Sequence, residues 1–151
     1  MSAALVFAAV TATLRDLLQD ALPADFPGAV VSTHTPDRVP DDGLQSRLNL
    51  FLFRVAPDAE TGMTLHYLLT SYAAEDDELT GQQLLGRAAG MLQERPVLSG
   101  SALPLDSGVR QIRVSAEDLP IEQLFQLWTP FRSPYRLSLA YRAQVVVDGQ
   151  T

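Results

Sequence analysis

The stretch that most restricts the possible folds is Arg47 to Val55, RLNLFLFRV. Leu48, Leu50 and Leu52 fall on one parity, Phe51, Phe53 and Val55 on the other. Successive side chains of a strand point to opposite faces. A strand apolar on both parities must be covered on both, which predicts a central position in a sheet. Pro57 to Gly62 is turn-like, and Thr64 to Tyr72 (TLHYLLTSY) reads as the antiparallel partner in a hairpin. The cleanest strand is the last. In Tyr135 to Val147 (YRLSLAYRAQVVV), Leu137, Leu139, Tyr141, Ala143, Val145 and Val147 share one face, and Arg136, Ser138, Arg142 and Gln144 share the other.

Helical periodicity fills the gaps between strands. Phe7, Val10, Leu14, Leu17, Leu18 and Ala21 recur at three- and four-residue spacings from Leu5 to Leu22, with Pro23 as terminator. Ala29 to Thr35 is a short β-branched strand, and Pro36 to Gly43 (PDRVPDDG) a loop. Thr80 with Gln83 makes a capping-box pattern for a long helix carrying Leu84, Leu85, Ala88, Met91 and Leu92, with Pro96 beyond its end. Residues 99–108 read as loop, and Arg110 to Ser115 as a strand. Pro120 opens a short helix with Ile121, Leu124, Phe125 and Trp128 on one stripe. The expected order is α-β-β-β-α-β-α-β, a compact α+β domain spanning residues 1–151, with helices on a mixed, mostly antiparallel sheet.

Composition narrows the function classes. The chain has no cysteine, which excludes thiolate catalysis, disulfides and cysteine-held metal centres. Its 18 acidic and 11 basic residues give a net charge of −7, wrong for a phosphate-backbone binder, so no nucleic-acid partner is expected. All the basic residues are arginines. Twelve acids and four arginines in residues 1–80 make −8; six acids and seven arginines in residues 81–151 make +1. That polarity suits head-to-tail contact between copies; the plainer reading is a solvated acidic surface. The longest apolar run, Ala3 to Val10, is far short of the roughly 20 residues a spanning helix needs. No membrane insertion is expected, and the location is read as cytoplasmic.

Catalytic and ligand-binding patterns are mostly missing. His34 and His66 each stand alone on a predicted strand, without a zinc-ligand spacing, and read as hydrogen-bonded or half-exposed. There is no GxSxG, GxGxxG or P-loop sequence. An EF-hand register started at Asp76 puts Arg87 where a bidentate glutamate is required. The same acids fit better as stabilising charge at the start of the long helix. Gly86 and Gly90 form a GxxxG spacing, read as close approach of that helix to the sheet. No cofactor and no enzymatic activity are expected. The rival reading is a small-molecule-binding domain or enzyme whose site is assembled from scattered residues such as His66 or paired acids.

Four ordered segments carry a family resemblance: LNLFLFRV (48–55), LHYLLTSY (65–72), QLLGRAAGMLQERPVL (83–98), and residues 112–147 with LPIEQLFQLW and SPYRLSLAYRAQVVV. Together they resemble the N-terminal domain of cap, or tail-terminator, proteins of extracellular contractile injection systems. The resemblance implies a tail-terminator-like fold and a structural role. The cap would form a homo-oligomeric, six-fold ring at the end distal to the baseplate, contacting inner-tube and sheath proteins and ending their growth. It implies residence in a phage-tail-like particle, which can leave the cell with its cap. An adaptor elsewhere in the same machine is the nearest alternative.

A one-chain ring needs head-to-tail contacts that close, and an open sheet edge offers strand addition to the sheath. The last strand is the expected edge, with Arg136 and Arg142 as its charged partners. Asp37, Asp41 and Asp42 in the acidic loop, and Glu75, Asp76, Asp77 and Glu78, are the acidic candidates for contact with a neighbour or the lumen. The sequence departs from the family pattern in a short connection between Val55 and Leu65 and in ending soon after the last strand.

Overall fold

The computed structural model describes residues 3–22, 24–40, 43–59 and 62–148. Helix α1 (Ala3–Ala21) is followed by strands β1 (Val30–Ser32), β2 (Arg47–Asp58) and β3 (Gly62–Tyr72). Helix α2 (Glu78–Glu94), strands β4 (Val97–Ser99) and β5 (Val109–Glu117), helix α3 (Ile121–Trp128) and strand β6 (Ser138–Val147) complete the order. The α+β class and the mixed sheet agree with expectation. Strand β4 is an addition: only three residues pair with β5, too few for an alternation to register in sequence.

The six strands run in the order β1-β2-β3-β6-β5-β4. Only β1 and β2 are parallel; the remaining pairs are antiparallel. This corrects two expectations. β6 is an interior strand between β3 and β5, not an edge, so its open flank is a face. β2 lies second from the edge, and β1 covers only Arg47, Leu48 and Asn49 of its 12 residues. The first strand is short because it leaves the sheet early. The Asn49 side chain accepts from the Ser32 hydroxyl and the His34 N–H and donates to the His34 carbonyl. One buried amide thus replaces the next rungs of the ladder.

One sheet face carries the core. Leu48 and Leu50 from β2, Leu65, Tyr67 and Leu69 from β3, Ile112 and Val114 from β5, and Tyr141, Ala143 and Val145 from β6 pack against two helices. These are the α1 stripe of Val6, Val10, Leu14 and Leu18 and the α2 stripe of Leu84, Leu85, Ala88 and Leu92. The Tyr67 hydroxyl shares a 2.7 Å hydrogen bond with Thr11 on α1, giving its one polar atom a partner.

The glycines of α2 act differently from the expected GxxxG contact. A Cβ at Gly86 or Gly90 would meet no neighbouring atom within 4 Å, whereas one at Gly81 would lie 3.4 Å from the Ser71 hydroxyl. Of these three glycines only Gly81, in the first turn, faces β3. The helix also starts earlier than the capping-box reading. Asp77 is the N-cap, accepting from the Leu79 N–H and the Thr80 hydroxyl. Thr80 lies inside the helix.

Phe51 alternates with Leu50 and Leu52, so it belongs to the second face, where Phe131 meets it edge-on at 5.5 Å. The chain after β5, running through α3 to Arg136, thus covers this face at the C-terminal end of β3. Trp128 is buried there and stacks against Tyr135.

Candidate assembly surface

The rest of the second face is polar. The cross-strand register lines up Arg54, His66, Arg142 and Ser115 across four strands. The Arg142 guanidinium donates to the Ser115 hydroxyl at 3.1 Å. The His66 Nδ1 lies 2.9 Å from a Glu117 carboxylate oxygen, and its ring tilts against Phe53. His66 is the hydrogen-bonded strand histidine expected from sequence. His34 is exposed and held through its backbone by Asn49. Among the described residues no group of three or more His, Asp or Glu side chains is placed to hold a metal ion.

The two faces meet at the end of β3 in an open cleft of about 540 Å³. Asp76, Asp77, Glu78 and Gly81 from the start of α2 line one side, and Tyr135, Arg136 and Leu137 the other. The Arg136 guanidinium sits 4.3 Å above the centre of the Tyr72 ring, a geometry that holds a cation in place by its attraction to the ring face. On the acidic side Glu75 and Asp76 are both left-handed, with φ of 59° and 53°. This tight turn is tied down by the Glu75 N–H to the Gly43 carbonyl at 2.9 Å and the Ala74 N–H to the Ser46 hydroxyl at 3.1 Å. The hydrogen bond from Thr80, above all, lowers the pKa of Asp77. The carboxylate of Asp77 is thereby engaged at the helix start, while those of Glu75, Asp76 and Glu78 are on exposed residues.

The structure thus brings Asp76, Asp77, Glu78 and Arg136 to one cleft and places Glu75 in the turn beside it. Arg142 is elsewhere, exposed on the open sheet face. Asp37 is exposed in the short 3-10 turn at residues 36–38. Asp41 and Asp42 lie outside the described residues.

Beside the cleft is an apolar feature that sequence periodicity missed. Phe125 and Tyr135 stack edge-on at 4.8 Å, yet Phe125 is 49% and Tyr135 37% exposed. Ile121, one turn before Phe125, and Leu137, on the cleft wall, are each at least half exposed. The stripe on α3 suggested core, but the helix buries only Trp128 fully. A short helix whose stripe is half uncovered is a feature of contact surfaces. The readable signal was the adjoining SPYRL, which puts a second aromatic next to an arginine before the strand starts.

Comparison with known proteins places this architecture. It matches the sheath/tube terminator of PVC, an extracellular contractile injection system, in the extended state, with a TM-score of 0.64 at 17% identity over 95% of this chain. It also matches the anti-feeding prophage tube-terminating cap, with a TM-score of 0.61 at 14% identity over 100% of this chain. The class of fold is therefore that of tail terminators. The chain spans 57% of the length of each of those proteins. The family model described as the Pvc16 N-terminal domain matches residues 59–151, well over half of the sequence, and the chain belongs to that family. No curated protein matches it in sequence.

Proposed function

We propose that this chain is a structural terminator of a contractile injection system: copies assemble into a ring, six-fold by expectation, that ends the inner tube and sheath. The observation that carries this reading is the match of nearly the whole fold to two proteins with terminating roles. Family membership supports it independently of the structure alignment. Tube and sheath proteins are then its partners, its role is structural rather than enzymatic, and it resides in the particle. Among the described residues no helix is long and apolar enough to cross a membrane.

The core cluster reaches from α1 through the sheet to β6, from Val6 to Val145, which supports reading the chain as one folding unit. Ring contacts are assigned to the cleft and its apolar margin. Phe125, Tyr135 and Leu137 supply apolar area; Glu75, Asp76 and Glu78 on one wall and Arg136 on the other set orientation. An acidic wall and an arginine-bearing one give the cleft charge complementarity toward a neighbouring copy; a ring requires that contact to be heterologous and to close.

The test is whether purified chain added to growing tubes of the same system stops elongation and is found at tube ends by electron microscopy. Labelled chain on capped ends, with length arrested, is expected. Continued elongation with no bound chain would contradict the proposal.

A further inference from the structure

The outer edge of β2 is an unfinished sheet. β1 pairs with Arg47 to Asn49 and then leaves, with Asn49 holding the departing chain at His34. From Leu50 to Asp58 the strand continues, paired only with β3. The Ser32–Asn49 pairing commits the Leu50 N–H to the Ser32 carbonyl; beyond it, among the described residues, β1 pairs with none of residues 51–57 and no loop backbone hydrogen bond reaches them. Such a row of backbone groups is a template for a further strand. The Ser46 carbonyl accepts from the Val30 N–H, so by the two-residue alternation of a ladder Leu48, Leu50 and Leu52 direct their backbone groups to this same edge.

We infer that this edge binds an extended segment of another protein, added in-plane beyond β2. The flanking side chains define its chemistry. Leu50 and Leu52 lie on the helix-covered face and Phe51 and Phe53 on the other, all buried or half-buried. An added strand therefore needs apolar or β-branched side chains on both parities at this end. Farther along, Arg54 is exposed and has no ionic partner among the described residues, so an acidic residue on the incoming strand fits there. The bulge between Leu52 and Arg54 and the proline at position 57 limit how far a flat strand can run. A second copy is a poor occupant. Its outermost strands, β1 and β4, have three residues each, and pairing through β2 itself gives a two-fold dimer, which does not close a ring. The exclusion of a second copy rests on the terminator reading; the open edge does not, and its test requires no particles.

The probe is a synthetic peptide of about nine residues, alternating Val and Thr with a central Glu and blocked at both ends, mixed with the full chain. Slowing of amide hydrogen exchange within residues 51–56 by about tenfold or more is the expected result. The same peptide N-methylated at alternate residues keeps its side chains but loses the donors of one edge, and should not bind. Arg54→Glu should weaken the Glu peptide about tenfold and favour a Lys counterpart. Failure of the Glu peptide to protect β2, or equal binding of the N-methylated form, would overturn the inference. So would concentration-dependent dimerisation of the chain alone that protects the same amides.

Discussion

At the residue scale, two side chains decide local structure out of proportion to their size. Asn49, 1% exposed, serves three partners on the departing β1 segment. Replacing it with alanine removes all three and leaves buried groups unsatisfied, at a cost of about 2 kcal/mol or more; urea unfolding of the variant measures it. Asp77 illustrates how protonation enters. Its pKa is lowered mainly by the Thr80 hydroxyl, so the folded state favours the ionised form. That contribution is present above the ordinary carboxylate range and is lost as the pH falls through the lowered value. Asp77→Ala should melt at a lower temperature at neutral pH. Asp77→Asn retains capping ability but should show a flatter decline in melting temperature on acidification. Tyr67 acts at the other end of the scale. Burial raises its pKa, so its contribution is complete below about pH 10 and is lost as pH rises further.

At the element scale, α2 offers a paired test. Gly86 and Gly90 face open space and Gly81 faces Ser71. Gly86→Ala and Gly90→Ala should each stabilise the isolated chain by about 0.5–1 kcal/mol through helix propensity, whereas Gly81→Ala should stabilise less or destabilise. Thermal melts of the three variants separate the cases. The same helix shows why reading from sequence went partly astray. The Leu84, Leu85, Ala88, Leu92 stripe was legible because burial follows the helical period. The glycine spacing looked like a packing contact because sequence gives no direction for a missing side chain. Long strands were legible from alternation, while β4, with three paired residues, was not. β6 has the strongest alternation and reads as an edge from sequence, yet alternation reports which face is buried and says nothing about neighbours within the sheet. Half of the candidate contact site was likewise visible: the acids and Arg136 stand out as charges. Phe125 did not, because a helical stripe looks the same whether a core or a partner covers it.

At the scale of the whole molecule, the fold places an acidic turn, an arginine held over a tyrosine ring and an exposed aromatic pair around one cleft. Phe125→Glu puts a charge where apolar contact is proposed, on a half-exposed residue. The monomer's melting temperature should stay nearly unchanged while assembly weakens at least about tenfold, a change that analytical ultracentrifugation resolves. The proposed termination of a tube and its sheath can be tested by electron microscopy of injection-system particles from cells with and without this gene, with sheath length and the distal end scored in each. Open-ended tubes of uncontrolled length, or loss of particles, restored by the intact gene, is the predicted result. Normal, capped particles of normal length in its absence would contradict the account.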